Sequence, residues 1–109
     1  MENFYNSLEE LINYIKSTKE YKKCLELKSK MMSNSDISKL MNDIRNVQKK
    51  YIRSNYDSVV KEELDKLNEE LNNIPIYIIY CENLNAINEM INYINDELSD
   101  YFYKLLNTF

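Results

Sequence analysis

Apolar side chains recur along this chain at intervals of three and four, the spacing that lays one stripe along an α-helix, and no segment alternates as a strand does. Phe4, Leu8, Leu11, Ile12 and Ile15 mark a first helix that should end near Lys16. Ser17-Thr18-Lys19-Glu20 then reads as a capping box, with Ser17 and Glu20 satisfying each other's backbone donors. A second helix follows, with Tyr21, Cys24, Leu25, Met31 and Met32 expected to face inward and Lys19, Lys22, Lys23 and Lys30 outward. Ser33-Asn34-Ser35-Asp36 interrupts the pattern, with Ser35 as the expected cap of a third helix. That helix aligns Ile37, Leu40, Met41, Ile44, Val47 and Tyr51.

The stretch Ser54 to Ser58 reads as a loop. Beyond it Val60, Leu64, Leu67, Leu71 and Ile74 form a coiled-coil-like seam, with Glu62, Glu63, Asp65, Glu69 and Glu70 on the other faces. Pro75 suits the first turn of a fifth helix, where its missing N–H costs nothing. No breaker follows until about Leu106, so this helix should run on the order of 45 Å at 1.5 Å per residue. Its stripe is Ile76, Tyr80, Leu84, Ile87, Ile91, Ile94, Leu98, Tyr101 and Leu105. The expected fold is all-α: about five antiparallel helices in a bundle, one domain over residues 1–109, with a long C-terminal helix available for oligomerisation. The end of that helix, with Tyr101, Phe102, Tyr103 and Phe109, should protrude or pair with another chain.

Composition sharpens this by what is missing. There is no Gly and no His, and the one Pro is Pro75. Without Gly there is no phosphate-cradling loop, and tight hairpin turns lose their usual residue, whereas helical folds can use Asn at such positions. Without His the commonest general base and metal ligand are gone. Cys24 and Cys81 are too far apart for a CxxC pair and too few for a zinc or iron–sulfur site, so they read as small buried side chains. The acidic cluster Glu62, Glu63, Glu69 and Glu70 lacks the Glu-x-x-His partner that helical metal sites use, and it reads as a solvated face. No enzyme is expected, and no cofactor. No apolar run reaches the ~20 residues of a membrane span, and Glu2 and Asn3 do not begin a signal peptide, so a cytoplasmic protein is expected.

Net charge is −4, but unevenly spread: residues 1–53 carry 11 Lys and Arg against 7 Asp and Glu, and residues 54–109 carry 3 against 11. Lys19, Lys22, Lys23, Lys49, Lys50 and Arg53 could form a basic surface, with Tyr21 or Tyr51 stacking on bases. A sequence pI near 4.9 argues against that use, and direct nucleic-acid binding is not expected. Of the ten Tyr, Tyr21, Tyr51 and Tyr80 fall on inward stripes, whereas Tyr77, Tyr93 and Tyr103 do not. Exposed aromatics anchor interfaces, so Tyr77, Tyr93, Tyr101, Phe102, Tyr103 and Phe109 are the expected partner-binding residues.

Two stretches resemble the YlbF/YmcA family of small helical bacterial proteins. One is LINYIKSTKEYKKCLELKSKM, Leu11 to Met31, whose Ser17 and Tyr21 match the family's Ser-x-x-x-Tyr entry to its second helix. The other is ELDKLNEELNNIPIYIIYCENLNAINEMI, Glu63 to Ile91, and between them DIRNVQKKY, Asp43 to Tyr51, is similar to the third helix. Glu69-Glu70-Leu71 followed by Ile74-Pro75, and a loop at Ser54 to Ser58 without Gly or Pro, look closer to the YmcA branch. The resemblance implies a regulator without catalytic activity. Its implied partners are copies of itself and YlbF- or YaaT-like proteins, in a complex that acts on RNase Y in transcript maturation and so affects competence, biofilm formation and sporulation. That complex carries iron–sulfur clusters with cysteine ligands in C-terminal tails, but the sequence here stops at Phe109. Cluster binding is therefore not carried over. The alternative is a structural helical homo-oligomer with no part in RNA processing.

Overall fold

A computed structural model describes residues 1–108. They form five helices: α1 (Glu2–Ser17), α2 (Lys19–Ser33), α3 (Ser35–Arg53), α4 (Ser58–Asn72) and α5 (Pro75–Leu106). No strand occurs among the described residues. The boundaries fall where the pattern predicts, but two caps are not the expected ones. Ser17 donates its hydroxyl to the Tyr14 carbonyl at 2.6 Å and so belongs to the end of α1. The cap of α2 is Thr18, whose Oγ1 accepts from the Tyr21 N–H at 3.3 Å while donating to the Ile15 carbonyl at 2.7 Å. Likewise Asn34, not Ser35, caps α3, its Oδ1 accepting from the N–H groups of Asp36 and Ile37 at 3.0 and 3.1 Å. In both cases the extended backbone of the preceding residue frees its side-chain oxygen to turn back on the first helical turn. One residue thus joins α1 to α2, and one joins α2 to α3.

The loop from α3 to α4 is tighter than its length suggests. Asn55 and Tyr56 both take left-handed backbone angles, φ 58° and 64°. Asn tolerates that region; Tyr does so at a cost of about 1–2 kcal/mol. An edge-on contact with Tyr51, ring centroids 5.3 Å apart, and a hydrogen bond from the Tyr56 N–H to the Tyr51 carbonyl offset the strain. Asp57 then caps α4 by accepting from Val59 and Val60. Before α5, Ile74 supplies the carbonyl that receives the N–H groups of Tyr77 and Ile78, and Pro75 takes the first helical position without needing a donor.

The chain divides into two compact units. Unit 2, Leu25–Cys81, holds most of α2, all of α3 and α4, and the start of α5. Its centre is the pair α3 and α4, which pack on one another in opposite directions. Lys50 near the end of α3 bridges Glu63 near the start of α4 at 3.6 Å, while Leu40 near the start of α3 clusters with Leu71 near the end of α4. Ile44 completes that cluster, and Met41, Leu64, Leu67, Ile74 and Tyr77 pack against it. Leu27, Met31, Ile37, Val47 and Val60 are also buried here.

Unit 1, Met1–Cys24 with Glu82–Phe109, is built differently. Its buried apolar residues among those described are Cys24 and Ile87. α1 buries no side chain at all, although its stripe is one of the clearest in the sequence. Helices of this length are marginal without an apolar partner.

α2 corrects one sequence expectation. Leu25 and Met32 are 52% and 64% exposed, and Leu27 is buried in their place. The inward face is Cys24, Leu27 and Met31, steps of three and four, with Leu25 and Met32 rotated off it.

Candidate functional site

The aromatic anchors expected from sequence separate into groups. Tyr93, Tyr101, Phe102 and Tyr103 are 66%, 63%, 53% and 69% exposed on the distal half of α5. Tyr77 is not among them: it is half-buried against the Leu40–Ile44–Leu71 cluster of unit 2. The reason is its position on the first turns of α5, beside Ile74, where α4 and α3 cover it. Its hydroxyl is tied to the Cys81 side chain one turn along. That hydrogen bond, with burial and the proximity of Cys81 and Tyr80, raises the phenol pKa above its ordinary value. Phe109 lies outside the described residues.

Two surfaces stand out, one in each unit. In unit 1 an open, almost wholly apolar cleft of about 300 Å³ runs between α1 and α5, lined by Phe4, Leu8 and Leu11 of α1 and by Leu98 and Phe102 of α5. These residues are the two sequence stripes, brought face to face but not closed. Tyr5 stacks edge-on with Phe4, and Tyr101 with Phe102, extending the apolar rim on both sides. Farther along the same faces Ile12, Ile91 and Leu105 are also exposed. Glu82, Glu89, Asp96 and Asp100, at steps of seven, seven and four, follow the opposite side of α5 and are all exposed. A chain seated on the apolar side would therefore leave these carboxylates in water.

In unit 2 a groove of about 370 Å³ lies where α2, α3 and the start of α5 meet. Met31, Met32 and Met41 supply its sulfur-rich wall, Tyr80 an aromatic edge, and Lys28 and Arg45 two cations. No single stripe in the sequence marks this groove, because its residues come from three helices. A usable signal was present all the same: Ser38, Met41, Asn42 and Arg45 fall at steps of three, one and three, a second face of α3 beside the buried one.

The chemistry-bearing residues are dispersed. No group of three or more Cys, Asp and Glu residues placed to hold a metal ion occurs among the described residues. Glu62, Glu63, Glu69 and Glu70 are exposed, and Glu63 is engaged with Lys50. No disulfide involves Cys24 or Cys81, the first buried and the second half-buried. Of the basic residues read as one surface, Lys19, Lys22 and Lys23 belong to unit 1, and Lys49, Lys50 and Arg53 to unit 2. Among the described residues no helix is long and apolar enough to cross a membrane.

The described residues are thus an all-helical fold with an apolar cleft in unit 1 and a methionine-walled groove in unit 2. The sequence pattern of the family described as "Control of competence regulator ComK, YlbF/YmcA" matches residues 4–101, nearly the whole chain. The protein belongs to that family, and the role its description gives is regulatory. No curated protein sequence matches the chain significantly.

Proposed function

We propose that this protein is a non-enzymatic regulatory subunit that works by docking another helical chain onto the α1–α5 cleft of unit 1. The observation that carries the reading is that α1 leaves its entire apolar stripe without a buried residue. A stripe of Phe4, Leu8, Leu11, Ile12 and Ile15 has no use on a helix that stays solvated, and exposed apolar surface of this extent marks an interaction site. The occupant is a helix pair of the same family, either a second copy or a YlbF-like relative. Two such pairs closing stripe to stripe make a four-helix arrangement that keeps the acidic row of α5 outside. Stable association needs about 800 Å² per partner. The half-exposed aromatics and aliphatics of α1 and distal α5 supply surface of that order.

The family's regulatory description, together with the likeness to the YmcA branch, supports a place among cytoplasmic regulators of competence. Through a YaaT-like partner and RNase Y, that role extends to transcript maturation, biofilm formation and sporulation. Light scattering of the purified chain, alone and mixed with a YlbF-type relative, tests the docking reading. Leu8→Glu combined with Phe102→Glu should abolish the assembly while leaving the far-ultraviolet helical signal of unit 2 intact. Assembly that survives both substitutions, or a chain that stays monomeric under every mixing condition, removes the reading.

A further inference from the structure

The groove of unit 2 is untouched by that reading, and its chemistry differs from that of the unit 1 cleft. α3 carries two adjoining faces. One, Ile37, Leu40, Ile44 and Val47, is buried. The other, Ser38, Met41, Asn42 and Arg45, opens on the groove, where Lys28 and Met32, one turn apart on α2, face it. Two cations of this unit are paired, Lys30 with Glu26 at 3.0 Å and Lys50 with Glu63 at 3.6 Å. Lys28 and Arg45 have no carboxylate partner among the described residues, and both are exposed.

We propose that this groove is a docking site for an acidic peptide segment of a partner protein, with an apolar side chain seated among Met31, Met32 and Met41 and flanking carboxylates held by Lys28 and Arg45. Methionine walls deform to fit aromatic or branched side chains, and they recur at surfaces that accept varied peptides. The volume, about 370 Å³, suits one large side chain with part of its backbone. Arg45 offers a fork that matches a carboxylate in two parallel hydrogen bonds, and Lys28 adds a point charge at the other wall. Ser38 and Asn42, on the same face of α3, present polar groups to the backbone of the bound segment. Nucleic acid fits worse. A phosphate chain needs a longer row of cations than two and gains nothing from a thioether floor. This site shares no residue with the unit 1 cleft, so either assignment can fail without the other.

The test uses the full chain labelled with ¹³C at its methionine methyls and three dodecapeptides. One places Phe and Leu between Glu residues, the second replaces every Glu with Lys, and the third replaces Phe and Leu with Ser. A single-stranded RNA dodecamer completes the set. The acidic apolar peptide should shift the methyls of Met32 and Met41 and leave those of Met1 and Met90 in place. The Lys and Ser versions should bind at least about tenfold more weakly. Arg45→Glu and Lys28→Glu should each weaken binding about tenfold with an unchanged circular dichroism spectrum, and Arg45→Gln should weaken it less. The proposal is overturned if the acidic peptide moves neither methyl at millimolar concentration, if the Lys version binds as well, or if Arg45→Glu has no effect. RNA as the sole ligand that moves these methyls overturns it too. So does a shift that follows protein concentration without peptide, which would place another copy of the chain in the groove.

Discussion

The hydroxyl of Thr18 donates to the carbonyl of Ile15, which ends α1, and accepts from the N–H of Tyr21, which starts α2. Both tasks fall on one atom because no loop separates the helices. Thr18→Ala removes a cap at each end and should destabilise the chain by about 1–2 kcal/mol, with Thr18→Ser restoring most of it, as read by urea denaturation. Tyr77 gives a prediction in pH. Its pKa is raised in the folded state, so that state holds the phenolic proton more tightly than the unfolded chain does. The contribution is intact below pH 10 and is lost as pH rises through the folded value. Tyr77→Phe should therefore show a shallower loss of stability above pH 10 than the parent, with little difference in slope between pH 7 and 9. Parallel curves in the alkaline range would exclude a contribution from this phenol. At this scale the sequence misleads where two similar residues stand side by side. Ser17 and Thr18, or Asn34 and Ser35, can each cap, and the choice depends on which of the two takes extended backbone.

Helix by helix, the reading from periodicity succeeds best where a stripe is long and its covering partner is adjacent. The α3 and α4 stripes bury as expected, because a four-residue loop returns one helix directly onto the other. α2 is read less well: Leu25 and Met32 interrupt the three-four spacing, and hydrophobicity alone does not separate Leu25 from Leu27. Counting strictly from Cys24 selects Leu27 and Met31. α5 is legible as one uninterrupted helix, yet periodicity cannot say how much of its stripe a neighbour covers. The stripe is buried at Ile87, half-buried at Ile94, and open at Ile91, Leu98, Tyr101 and Leu105. A matched pair of substitutions measures the difference. Leu71→Ala removes a side chain from the closed cluster of unit 2 and should cost about 2–4 kcal/mol. Leu98→Ala, on the open cleft, should cost less than about 1 kcal/mol in the isolated chain and act instead on assembly. A reversal of that order would mean that the cleft is already closed in solution.

Over the whole molecule, apolar closure is uneven. Among the described residues, eight of the ten buried apolar side chains belong to unit 2, which leaves unit 1 to rely on surface that nothing in its own fold covers. Hydrogen exchange should follow this division: amides from Leu40 to Val47 slowest, amides of α1 fast and close to unprotected. Adding the docking partner should slow α1 selectively, whereas an acidic peptide in the unit 2 groove should leave α1 exchange unchanged. Uniform protection in the lone chain would contradict the asymmetry.

The one-residue joints at Thr18 and Asn34 have a further consequence for how such a chain can vary. A helix advances by about 100° per residue, so a single insertion at either joint turns the following stripe by more than a quarter circle. With no slack beside it, the insertion cannot be absorbed locally, and the next helix must present its polar side where its apolar side belongs. The Ser54–Asp57 connection, which already bends through two left-handed residues, has room to take up an added residue without rotating α4. Length changes should therefore be borne at that turn and rejected at the two hinges, as a scan of single-alanine insertions read by thermal unfolding would show.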